Sequence, residues 1–181
     1  MPAETRTKFF ETGSPAEPLR LRDGRLLPGV RIAYETWGKL NPEHSNAVVL
    51  FHALSGSHHA AGHNPAIEGV GNLWQPELHD GWWEEMIGPG KALDTDKYFI
   101  VCANYLGGCY GSTGPASVNP ETGSPWGSAF PAVTAADQVE FSAKLLDHLG
   151  IGVLHAVVGP SVGGLAALTF ATRFPQRVKN V

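Results

Sequence analysis

Residues 156–167 read Ala-Val-Val-Gly-Pro-Ser-Val-Gly-Gly-Leu-Ala-Ala, and the rest of the chain can be placed from them. His155 to Val158 suits a short buried strand, Gly159 to Gly164 a sharp turn, and the small apolar residues that follow a helix. Strand, G-x-S-x-G turn and helix, in that order, form the setting in which this pattern presents a serine as a nucleophile. A serine on so tight a turn needs neighbours without a Cβ, and Gly159 and Gly163 meet that need. Gly164, Ala166 and Ala167 let the helix approach the sheet. The hydroxyl of Ser161 then stands at a helix N-terminus, where free N–H groups favour negative charge. The alternative is a glycine-rich turn whose serine only caps the helix. The flanking strand and helix favour Ser161 as the nucleophile.

Working outward, Ala47–Phe51 and Tyr98–Ala103 are further continuous apolar runs, the mark of strands buried on both faces of a parallel sheet. Thr134–Leu149 predicts a helix: Thr134 is an N-cap with Asp137 three residues on, and Gly150 stands just past the end. Val139, Ala143, Leu146 and Leu149 share one face of it and are read as core. A strand, crossover helix and strand imply parallel pairing. Val30–Thr36 alternates apolar and polar, as a half-covered strand does, and Leu19–Leu21 followed by Asp23-Gly24 predicts a hairpin. Residues 1–18 are read as an N-terminal arm and 19–181 as catalytic domain. Gly81–Met86 is a short amphipathic segment whose tryptophans cover the core. Pro175 ends the last helix, and Arg177–Val181 begins another strand. The expectation is therefore that the chain is the N-terminal portion of a longer one.

Composition narrows the class. Of 181 residues, 17% are charged and 43% apolar, with net charge −4 and no Lys/Arg run, which argues against nucleic acid as a partner. No apolar run approaches the length of a membrane span, and the N-terminus lacks the apolar core of a signal peptide. Two cysteines, Cys102 and Cys109, are too few for a disulfide scaffold, and reduced thiols predict the cytoplasm.

A serine nucleophile needs two backbone donors for the oxyanion. In elbow enzymes one belongs to the residue after the nucleophile and one to a strand-end loop. Here these are Val162 and either Ala53 or Leu54, in His52-Ala53-Leu54-Ser55-Gly56. His52, His58, His59, His63 and His79 lack a zinc-site spacing, so no metal is expected. Elbow enzymes run serine, acid, histidine along the chain, and every histidine here precedes Ser161. Leu106–Pro115 has no Lys-Ser/Thr closure and is not a phosphate loop. It is either a turn network or a direct substrate contact. Cys109 has no base beside it in sequence and is not the expected nucleophile.

Four segments together resemble the homoserine O-acyltransferases of the elbow-serine type, within the α/β-hydrolase superfamily. They are HALSGSHHAAG (52–62), GWWEEMIGPGKALDTDKYFIV (81–101), NYLGGCYGSTGPASVNPETGSPWG (104–127) and GPSVGG (159–164). The resemblance spans roughly residues 19–181. It implies an α/β-hydrolase fold with a mostly parallel sheet and flanking helices, and Ser161 as the nucleophile with oxyanion donors at the N–H groups of Leu54 and Val162. It also implies an aspartate, a histidine, substrate-holding residues and a helical lid beyond Val181. The chain departs from the pattern at Pro160, where glycine is usual, at Val162, where an unbranched side chain is usual, and in a longer 63–80 segment.

The implied reaction moves an acetyl group from acetyl-CoA to the hydroxyl of L-homoserine through an acyl-serine, a step towards methionine. No cofactor is implied beyond the acyl-CoA substrate. A homodimer is implied for the complete protein. A succinyl donor, a serine acceptor, and an esterase or thioesterase on the same fold are the alternatives. An inactive fragment or interaction module is a further one, since 181 residues without the base are not expected to turn over.

Overall fold

Five segments pair into one sheet because each can bury side chains on alternate faces. The computed structural model describes residues 3–181. The strands are β1 (Lys8–Thr12), β2 (Val30–Trp37), β3 (Ala47–Leu50), β4 (Phe99–Ala103) and β5 (Ala156–Val158), and the sheet order is β1-β2-β4-β3-β5. β4, β3 and β5 are parallel, with Val49 opposite both Val101 and Val157. β1–β2 and β2–β4 are antiparallel. The sheet is thus mixed rather than mostly parallel. The N-terminal strands need no crossover helix, and β4 inserts between β2 and β3, which are neighbours in sequence. The antiparallel pair Leu19–Arg20 and Leu26–Leu27 forms the expected hairpin.

The alternation of β3 and β4 separates two apolar layers. Val49, Phe51 and Val101 face the helices α1 (Ala135–His148) and α2 (Val162–Arg173), against Val139, Leu145, Leu146, Ala166 and Phe170. Val48, Leu50, Ile100 and Cys102 face the other way, against Ala60, Ala61, Ile87, Trp82 and Trp83. Both long helices therefore cover one face, and the segment between β3 and β4 covers the other. The tryptophans of Gly81–Met86 cover the core as read from sequence. An ion pair between Arg173 and Glu140 ties the two helices.

Two expectations change. Residues 8–12, inside the segment read as an arm, are the edge strand β1: Phe10 is buried, and Phe9 lies under the Arg31 guanidinium, 3.5 Å from ring centroid to Cζ. The alternation of β2 predicts a half-covered strand, but its Glu35 is fully buried. At the far end, Leu154 bridges Val178, and the N–H of Val157 donates to Asn180 O at 2.9 Å. Residues 178–180 thus run beside the lead-in to β5, with one bridge in place of a regular strand.

The caps of α1 match the sequence. Thr134 Oγ1 accepts from the Asp137 N–H, and Asp137 accepts from the Thr134 N–H at 2.8 Å, a reciprocal capping box. Asp137 also accepts from the Arg22 N–H at 2.8 Å, tying the helix to the hairpin. Thr134→Ala removes one cap acceptor and should cost about 1 kcal/mol. Asp137→Ala should cost more, because it leaves two backbone donors without partners. Urea midpoints of the two variants check the order. Among the described residues no helix is long and apolar enough to cross a membrane.

Candidate active site

β5 ends at Val158, and α2 begins at Val162, so the chain must reverse direction within three residues. The geometry falls on Ser161, whose φ of 55° and ψ of −124° lie where only glycine is comfortable. The packing around it explains the glycines. A Cβ on Gly159 would lie 2.2 Å from Gly163 O, and one on Gly163 would lie 2.1 Å from Phe51 O. The start of α2 is thus pressed against the end of β3. Gly163, Ala166, Ala167 and Phe170 are its buried residues, at helical spacing.

Ser161 is exposed, and its side chain does not cap its own helix. That removes the capping alternative. Among the described residues its hydroxyl has no hydrogen-bond partner, and the Val162 N–H has no backbone acceptor. Where the Phe51 carbonyl meets Gly163, the chain passes into the His52–Gly56 loop. This loop is closed by a bond from the Gly56 N–H to Ala53 O at 2.9 Å. Leu54 is 82% exposed at its tip. The N–H groups of Ala53 and Leu54 are both free of backbone partners among the described residues, so the choice of Leu54 over Ala53 rests on the resemblance.

The loop forms one wall of a cleft of about 520 Å³, whose other walls come from Asn104–Tyr110 and from Phe130, Val133 and Gln138. Ser161 does not line it, but Gly163, two residues on, packs against Phe51 and His52 at the start of that loop. The glycine-rich loop is both a turn network and a cleft wall. Gln138 grips Leu106 twice, donating to its carbonyl at 2.8 Å and accepting from its N–H at 2.9 Å, and the Gly107 N–H donates to Thr113 O at 2.8 Å. Cys109 is exposed at the cleft wall.

The histidines do not converge on Ser161. His52 is buried, and its Nδ1–H donates to Ala53 O at 2.7 Å. Burial pulls its pKa down to about 4 against that bond, so the ring is neutral near pH 7. Tyr105 packs on it with centroids 4.0 Å apart and the rings tilted by 36°, and donates its hydroxyl to His52 O at 2.8 Å. Burial also pushes the Tyr105 hydroxyl well up. His58 and His59 lie deeper, around Glu35. Sequence reasoning missed Glu35 and Gln138. Glu35 looks like the polar side of an alternating strand, and Gln138 like an ordinary helix residue. A string of nearby histidines was the one available signal for a buried carboxylate.

Comparison with known proteins agrees with this geometry. Residues 46–181 match the family described as alpha/beta hydrolase fold. The chain is 49% identical over 170 residues to a homoserine O-succinyltransferase of Acidithiobacillus ferrooxidans, covering 94% of this chain and 42% of that protein. It is 50% identical over 158 residues to a homoserine O-acetyltransferase of Deferribacter desulfuricans, covering 87% of this chain and 40% of that protein. A homoserine O-acetyltransferase structure from Bacillus anthracis superposes with a TM-score of 0.81 at 35% identity, over 97% of this chain and 46% of that one. The chain therefore spans about two fifths of the length of these sequence relatives. A match running from β3 through the strained serine to the last residue places this chain in the alpha/beta hydrolase fold family.

Proposed function

We propose that Ser161 is the nucleophile of an acyl transfer from an acyl-CoA thioester to the hydroxyl of L-homoserine, a step of methionine biosynthesis. The observation that carries this reading is Ser161 itself: strained, exposed, not capping its helix, and followed by an uncommitted N–H. Ser161 Oγ attacks the thioester carbonyl and gives its proton to a base. The carbonyl oxygen takes the negative charge and accepts from the N–H groups of Val162 and Leu54. The tetrahedral adduct collapses, CoA leaves as a thiol, and an acyl-serine remains. Homoserine's hydroxyl then attacks the ester and regenerates Ser161. No histidine hydrogen-bonds Ser161 among the described residues. The base is assigned to the further length that the relatives possess. The free thiols of Cys102 and Cys109 suit a reducing cytoplasm.

For the donor we favour acetyl over succinyl. The cleft wall given by His52, Leu54, Tyr105, Leu106, Phe130 and Val133 is neutral, and a succinyl carboxylate against it would lose hydration without gaining a cation from these residues. The test is CoA release by the complete gene product with each donor. We expect acetyl-CoA turnover to exceed succinyl-CoA turnover by about tenfold or more, the equivalent of one unpaired polar contact. We also expect release to depend on homoserine. The reverse donor order overturns the acetyl assignment, and release that ignores homoserine makes the protein a thioesterase.

A further inference from the structure

Glu35 lies in β2 with no exposed surface, yet three donors reach its carboxylate. Thr7 Oγ1 donates to Oε1 at 3.0 Å, Asn64 Nδ2 donates to Oε1 at 2.8 Å, and His59 Nδ1 reaches Oε2 at 2.8 Å. The other ring nitrogen of His59, Nε2, faces His79 O at 2.9 Å. Both nitrogens of this buried ring therefore face acceptors. With Glu35 ionised, only an imidazolium has the two N–H groups these acceptors require, since a neutral ring would then set one lone pair against an oxygen. His58 differs. Its Nε2 lies 2.9 Å from Thr7 Oγ1 and 3.8 Å from Glu35, and its Nδ1 is buried without a partner among the described residues.

We propose that Glu35 and His59 form a buried, fully charged pair that clamps the loop carrying Leu54 to the sheet. The loop leaves β3 at His52, where Tyr105 holds its carbonyl, and is next held at Ser57–His59. Between those anchors only the Ala53–Gly56 turn intervenes. Glu35 and His59 are thus positioning residues. The clamp rests on the proposed function only in giving Leu54 its donor role.

The surroundings agree. Burial opposes charge on His59, but the bond and charge of Glu35, with the His79 and Gly62 carbonyls, outweigh it and raise its pKa above the ordinary 6.5. Burial, then the charges of His59 and His52, drive His58 down to about 3, so that ring is neutral and does not compete for the carboxylate. Burial, and then Glu35, hold the nearby Cys102 thiol protonated. Trp74 meets His59 edge-on at 5.7 Å and stacks on His79, while His63 pairs with Asp80 at 2.7 Å. A group whose pKa is raised by folding stabilises fully below its unfolded value and loses that contribution as pH rises through the folded value. The clamp is therefore complete below about pH 6.5 and weakens on the alkaline side.

Imidazole ¹⁵N NMR of the complete gene product, titrated from about pH 5 to about pH 8, tests the pair directly. Both His59 nitrogens should remain protonated where free histidine is largely neutral, and the Leu54 and Ser55 amide signals should move with the His59 titration. A neutral His59 at about pH 7 overturns the charged pair, and loop amides that ignore His59 overturn the clamp. In Glu35→Gln the unfolding constant should rise on the order of a hundredfold at about pH 6, with the excess shrinking as pH rises. A pH-independent effect contradicts the proposal. The wild-type titration decides the matter if that variant does not fold. An unacylated Ser161 would overturn the proposed function and leave these results standing.

Discussion

Gly163→Ala should destabilise the protein by about 3 kcal/mol or more and abolish any chemistry at Ser161. The added methyl would lie 2.1 Å from Phe51 O, 2.8 Å from that carbonyl carbon and 2.9 Å from His52 O. These are backbone atoms at the end of a buried strand, so no side chain can turn aside. Either α2 lifts from the sheet or residues 51–52 shift. Both movements alter the relation between Ser161 and the loop that carries Leu54. Gly159→Ala should act similarly, since its Cβ would lie 2.2 Å from Gly163 O. Gly152 supplies the control: a Cβ there meets nothing within 4 Å, and Gly152→Ala should be neutral or slightly stabilising, by up to about 1 kcal/mol. Urea denaturation of the three variants reads the contrast. Equal midpoints would mean that the elbow is not tightly packed.

Ser161→Ala should reduce acyl transfer by about four to six orders of magnitude, because the atom that forms the covalent bond is gone. Stability should barely change, since alanine keeps the same Cβ at φ 55° and the hydroxyl makes no cap bond. Ser161→Gly should be equally inactive but more stable. It releases about 1–3 kcal/mol of backbone strain and gives back about 0.5–1 kcal/mol in unfolded-chain entropy. The net gain is about 1 kcal/mol. An inactive variant more stable than the wild type is the signature of a residue held in strain for its function. A destabilised Ser161→Gly would remove that interpretation.

The parts legible in the sequence were those built from local signals. The elbow has its glycines at fixed offsets, α1 has Thr134, Asp137 and Gly150, and β3, β4 and β5 are continuous apolar runs. What escaped depends on partners far away in the chain. β1 was hidden because Phe9 and Phe10 are adjacent rather than alternating, and Phe9 is satisfied by Arg31 across the sheet. Glu35 fits an alternating strand equally well exposed or buried. Its burial is decided by Thr7, His59 and Asn64, each more than twenty residues away. The mixed sheet depends on β4 entering between β2 and β3, and no local pattern records that insertion. Ser161 and the two candidate donor segments were read from residues alone. Preferring Leu54 to Ala53 was not, because both N–H groups sit in one short loop with the same backbone freedom.

The central claim is that Ser161 forms a covalent acyl intermediate. Its most direct test is intact-mass analysis of the complete gene product mixed rapidly with acetyl-CoA in the absence of homoserine, followed by peptide mapping. One acetyl group should appear, on the peptide containing Ser161, and it should vanish when homoserine is added and be missing in Ser161→Ala. Acetylation that persists in Ser161→Ala, or turnover with no covalent species at Ser161, would contradict the account.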